Sequence, residues 1–127
     1  DWATHLIGHE LTALKGIDNA RTHAIILPAN LEVRRQEKRE KLLQYASRVW
    51  KINDEDEDED QRIDRAIALT KSFFEQLGLP SRLRDYQLGP MDIEDIITQL
   101  ESHNLTRLGE SENISLEISR QILELSL

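Results

Sequence analysis

Apolar residues recur along most of the chain at the three- and four-residue spacing of a helix face, and strand-like alternation is almost absent. Residues 2–15 carry Leu6, Ile7, Leu11 and Leu14 at that spacing and close on Gly16, which suits the left-handed turn after a helix. Asp18 is placed to cap a second helix running into Ile25, Ile26 and Leu27, and Pro28 predicts a kink or stop there. Residues 37–50 set Leu42, Ala46, Val49 and Trp50 on one stripe opposite Glu40, Gln44 and Arg48; residues 60–77 do the same through Ile63, Ile67, Phe73, Phe74 and Leu77. Gly78 and Pro80 end that helix. A helical turn at residues 81–86, a helix at 91–102 and a last one at 115–124 capped by Ser115 complete the pattern. The expectation is an all-α bundle of about six helices forming one domain over residues 1–127, with no internal repeat.

Charge refines this picture in one place. The formal net charge is -8, but seven of the 24 acidic residues run consecutively from Asp54 to Asp60, and the remaining 17 nearly balance 16 Lys and Arg. Such a run repels itself, so residues 53–60 are expected to form a mobile, solvated acidic loop between helices. A calcium loop with Asp54, Asp56 and Asp58 as first ligands fails, because Glu59 stands where glycine is needed and Arg65 where the closing glutamate belongs. No basic face with aromatic platforms points to nucleic acid, and no apolar run approaches the length of a membrane helix. The absence of cysteine removes disulfides and thiolate metal sites and fits a reducing compartment, the cytoplasm by default. Asp1 in place of an initiator Met reads as a processed or truncated chain.

The chemistry-bearing feature is His5 and His9, one helical turn apart, with Asn19 fourteen residues after His5. Residues i and i+4 project from one helix face, and imidazole is a ligand for zinc, iron and copper, so the spacing reads as a damaged metal site. Glu10 beside His9 begins a zinc-protease pattern that breaks at Ala13. His103 is expected to interact with a helix dipole, and Trp2 and Trp50 to anchor the core or an interface. Neither a phosphate-cradling glycine loop nor a serine or cysteine nucleophile is apparent.

The stretch from Asp1 to Asn30, together with Trp2-Ala3-Thr4-His5, Gly8-His9-Glu10-Leu11, Lys41-Leu42-Leu43-Gln44-Tyr45-Ala46, Arg48-Val49-Trp50, Phe73-Phe74-Glu75-Gln76-Leu77-Gly78 and Leu105-Thr106-Arg107-Leu108-Gly109-Glu110, resembles the C-terminal helical part of the iron-containing, or group III, alcohol dehydrogenases. The resemblance is to the branch of NADPH-dependent butanol dehydrogenases and aldehyde reductases, and it implies the same helical architecture. It further implies a catalytic iron or zinc held by an Asp and a His one turn apart and by two more His residues fourteen positions apart. His5 matches the third ligand, Asn19 stands at the position of the fourth, and the first two precede this chain. His9 matches a residue that lies beside the substrate and the nicotinamide and assists proton transfer. Asn offers only a neutral carbonyl oxygen, a poor substitute for imidazole. A one-turn shift of the ligand to His23 is the alternative.

The resemblance thus implies reduction of an aldehyde by hydride transfer from NADP(H), with the metal polarising the carbonyl as a Lewis acid. The chain lacks the nucleotide-binding part that would be its partner in a full-length enzyme. It is expected to be inactive alone, to bind neither metal nor cofactor stably, and to hide its uncovered apolar faces in a homodimer. The competing expectation is a degenerate helical module, kept for structure or interaction without metal chemistry.

Overall fold

The computed structural model describes residues 2–52, 57–108 and 114–127. Six α-helices follow in order: α1 (Trp2–Lys15), α2 (Asn19–Val33), α3 (Arg39–Trp50), α4 (Glu59–Gln76), α5 (Pro90–Ser102) and α6 (Leu116–Leu125). A 3-10 turn, Leu83–Tyr86, precedes α5. Two-residue strands, β1 (Arg107–Leu108) and β2 (Ile114–Ser115), pair antiparallel before α6, with Arg107 opposite Ser115. The fold is the all-α bundle that the hydrophobic spacing predicts.

Local chemistry sets most of the boundaries. Gly16 and Gly78 have φ of 69° and 80°, a region open to glycine at little cost, and they turn the chain out of α1 and α4. Asp18 caps α2 by accepting the Arg21 N–H at 3.0 Å, and that bond holds its carboxyl below the usual carboxylate range. Ser115 caps α6 in the same way through the Ile118 N–H. Asp58 accepts the Gln61 N–H at 2.8 Å while its own N–H donates to the Gln61 side chain, a reciprocal cap that begins α4. The end of the acidic run is therefore ordered as cap and first turn, since carboxylates at Asp58, Glu59 and Asp60 meet the positive end of a helix. Residues 53–56 of that expected loop lie outside the described residues, as do two of the three calcium-loop aspartates.

Pro28 neither stops α2 nor ends its packing; the helix continues for five more residues to Val33. An interior proline costs a helix about 3 kcal/mol. Ile25 and Ile26 on the preceding turn are buried, and each such side chain recovers about 1.5–3 kcal/mol. Tertiary burial outweighs the local rule.

Helices α1, α2, α5 and α6 enclose the main core, built on Ile7, Leu11, Ile26, Ile96, Leu100 and Ile122. The α3–α4 hairpin carries smaller clusters, Leu42 with Ile63 and Ile67, and Ala46 with Ile52 and Ala66. Helix α2 joins the two parts, packing on α1, α4 and α6. The stripes predicted for α3 and α4 run only partway inward: Val49, Phe73 and Leu77 are 56%, 48% and 60% exposed. On α4 the buried face is Ile63, Ala66, Ile67 and Thr70. Trp50 is half-buried, edge-on to Tyr45 and Phe73. The side chain of Trp2 lies outside the described ones.

Helices α1 and α2 cross at Gly8. A Cβ placed there would lie 2.9 Å from Thr22 Oγ1 and 3.1 Å from Thr22 Cβ, closer than side chains tolerate. Gly8→Ala gains about 1 kcal/mol of helix propensity. Overpacking the contact costs more, so a net loss of about 1–2 kcal/mol is expected in thermal unfolding, most of it recovered when Thr22→Ala is added.

Candidate functional site

Three contacts fix which way α1 faces. Ala3, Ile7 and Leu11 turn into the core. On one flank Asn30 Nδ2 donates to Thr4 Oγ1 at 2.9 Å, and on another Glu10, only 4% exposed, meets His103 Nδ1 at 2.8 Å. The remaining face displays His5 and His9, both exposed, with ring centroids 5.9 Å apart and planes tilted by 51°. The i,i+4 pair is thus delivered to one surface, as its spacing predicts.

Asn19 is the first residue of α2, exposed, directly after the Asp18 cap. Its backbone carbonyl accepts from Thr22 Oγ1 and from His23 Nδ1, each at 3.0 Å. A carbonyl can only accept, so Nδ1 of the half-buried His23 is the donor in this contact, leaving Nε2 turned away from it. That arrangement orients an imidazole as metal ligands are oriented. Among the described residues no three His, Cys, Asp or Glu side chains converge as a metal cluster. His5 offers an imidazole nitrogen and Asn19 a neutral amide oxygen, a donor pair poorly suited to a transition metal.

His103 is the C-cap residue of α5, and its side chain pins that helix to α1 through Glu10. This pairing spans 93 residues and leaves no trace in local spacing. Position 10 does fall on the core-facing stripe of α1 beside Ile7 and Leu11, the one signal that a carboxylate there needs a partner. A second tie, Lys15 Nζ to Asp92 Oδ1 at 2.7 Å, joins the end of α1 to the start of α5 and holds the Asp92 carboxyl below its usual range. No helix among the described residues is long and apolar enough to cross a membrane.

Comparison with known proteins places this arrangement. Residues 1–123 match the model of the Fe-containing alcohol dehydrogenase family, C-terminal, and the chain belongs to that family. It is 54% identical over 124 residues to the NADPH-dependent aldehyde reductase YqhD of Escherichia coli K12, covering 98% of this chain and 32% of that protein. It is 29% identical over 126 residues to NADH-dependent butanol dehydrogenase A of Clostridium acetobutylicum, covering 98% and 32%. The solved structure of the substrate- and cofactor-free aldehyde reductase from E. coli superposes with a TM-score of 0.96 at 52% identity, over all of this chain and 33% of that one. The NADH-dependent butanol dehydrogenase A of Thermotoga maritima superposes with a TM-score of 0.85 at 25% identity, over 99% and 33%. The chain spans about a third of the length of the relatives it matches.

Proposed function

We propose that this chain is the C-terminal helical part of an NADPH-dependent aldehyde reductase, with its metal-ligand set incomplete at Asn19. The observation that carries the reading is the His5–His9 pair on the exposed face of α1, in a chain 54% identical to an NADPH-dependent aldehyde reductase across nearly its whole length. In the complete enzyme a nicotinamide delivers hydride to the aldehyde carbon. His5 occupies a metal-ligand position, and His9, one turn along, faces the substrate and supplies a proton toward the alcohol oxygen. The family's metal would be iron or zinc and its nucleotide NADP(H); this chain by itself is proposed to hold neither.

Asn19 favours a second reading, a helical module that has left the chemistry behind. A hybrid enzyme separates the two. This chain replaces the matching third of the E. coli reductase, and NADPH oxidation by butanal is followed with and without the substitution Asn19→His. The first reading expects a slow unsubstituted hybrid and a fast Asn19→His hybrid. An Asn19→His hybrid that folds, binds NADPH and stays inactive would establish the second.

A further inference from the structure

We propose that Lys71 is a reactive amine that condenses reversibly with small aliphatic aldehydes to form an imine, in a pocket of about 230 Å³ between α2, α4 and the end of α6. Ile25, Pro28 and Ala29 of α2, Ile67 of α4 and Leu125 of α6 form its apolar walls, and Lys71, one turn beyond Ile67, lines the same space. Walls of that kind take up an alkyl chain, and the amine beside them meets the carbonyl. The hydroxyls and the carboxylate of the pocket are engaged elsewhere. Ser81 Oγ donates to Glu75 Oε1 at 2.9 Å, Ser126 Oγ donates to the Ile122 carbonyl at 2.8 Å, and Glu32 accepts from Arg35 at 2.8 Å.

Among the five lysines Lys71 stands apart. Lys15 is paired with Asp92 at 2.7 Å, Lys51 Nζ donates to the Arg48 carbonyl at 3.2 Å, and Lys38 and Lys41 also have partners. Lys71 makes no hydrogen bond or ion pair among the described residues. Burial, and then the Arg82 guanidinium in the same pocket, push its amine below the ordinary lysine range, and Arg84 adds to them; the Glu75 and Asp85 carboxylates pull the other way without cancelling the effect. A lysine desolvated beside another cation carries more free amine, the form that attacks a carbonyl. The Nζ lone pair bonds to the carbonyl carbon while the C=O π pair moves to oxygen. A proton passes from nitrogen to oxygen through solvent, and water leaves as the C=N bond forms; nothing is oxidised or reduced. The product suits its surroundings, because an imine nitrogen is less basic than an amine and leaves one cation fewer beside Arg82. Lys71 lies on α4 and the His5–His9 pair on α1, so the inference holds under either reading of that pair.

The test is reductive trapping on the intact chain. Acetaldehyde or pentanal is added with cyanoborohydride at neutral pH, the reaction is stopped at low conversion, and alkylation at each lysine is read by peptide mass mapping. Lys71 is expected to be alkylated at least about fivefold faster than any other lysine, although Lys15, Lys41 and Lys51 are more exposed. That preference should be larger for pentanal than for acetaldehyde, because only the longer chain covers the apolar walls. Arg82→Gln should slow alkylation of Lys71 by about threefold or more and leave the other lysines unchanged. The comparison among lysines needs no variant, and circular dichroism checks that the Arg82→Gln chain is folded. Uniform alkylation, a faster reaction at another lysine, no gain from acetaldehyde to pentanal, or a normally melting Arg82→Gln chain that keeps the full Lys71 rate would each overturn the proposal.

Discussion

Leu11→Ala is expected to destabilise the chain by about 2–5 kcal/mol, because it removes a fully buried side chain from the centre of the main core. Against a domain stability of about 5–15 kcal/mol, that is a large share of the total. Leu11 belongs to the cluster that holds Ile7, Ile26, Ile96 and Ile122, drawn from four helices, so no single neighbour can move in to fill the void. A melting temperature lower by roughly 8–19 °C in circular dichroism follows from the unfolding entropy of a chain this size. The effect reaches the site, since α1 presents His5 and His9 only while its opposite face is anchored by Ala3, Ile7 and Leu11. A loss below about 1 kcal/mol would mean that α1 is not packed as described.

In the hybrid enzyme, Asn19→His is expected to raise the rate of NADPH-dependent butanal reduction by about 100-fold or more. Even groups that merely orient metal ligands are worth about 10–100-fold in affinity or activity. A missing ligand costs at least as much, because the amide oxygen of Asn is neutral and hard where the metal needs imidazole nitrogen. The local backbone is ready for the exchange: residue 19 is exposed and already helical, behind a cap supplied by Asp18 rather than by its own side chain. Adding His23→Ala to the Asn19→His hybrid should leave its rate unchanged. If the unsubstituted hybrid already matches the parent reductase, the ligand argument fails while the family membership stands.

The bundle was legible wherever one residue decides a boundary. Asp18, Ser115, Gly16 and Gly78 act in the structure as their types predict, since caps and left-handed turns are fixed within four residues of sequence. Pro28 does not stop α2, because its cost is local and the compensating burial of Ile25 and Ile26 comes from other helices. Val49, Phe73 and Leu77 misled for the converse reason: periodicity shows that a stripe exists and says nothing about how much of it a partner covers. At the site, the His5–His9 pair could be read from spacing alone, whereas the weight given to Asn19 needed the family pattern, because a lone Asn at a helix start is ordinary chemistry. Glu10–His103 and Asn30–Thr4, the ties that orient α1, join residues 93 and 26 positions apart and had to be seen in three dimensions.

The most direct measurement is a zinc titration of the chain itself in three forms: unmodified, Asn19→His, and Asn19→His with His5→Ala. If position 19 is the lost ligand and faces His5, Asn19→His should tighten zinc by about tenfold or more, one ligand's worth of at least about 1.4 kcal/mol, and His5→Ala should erase the gain. An affinity that Asn19→His leaves unchanged, or a gain that survives the loss of His5, would contradict the account.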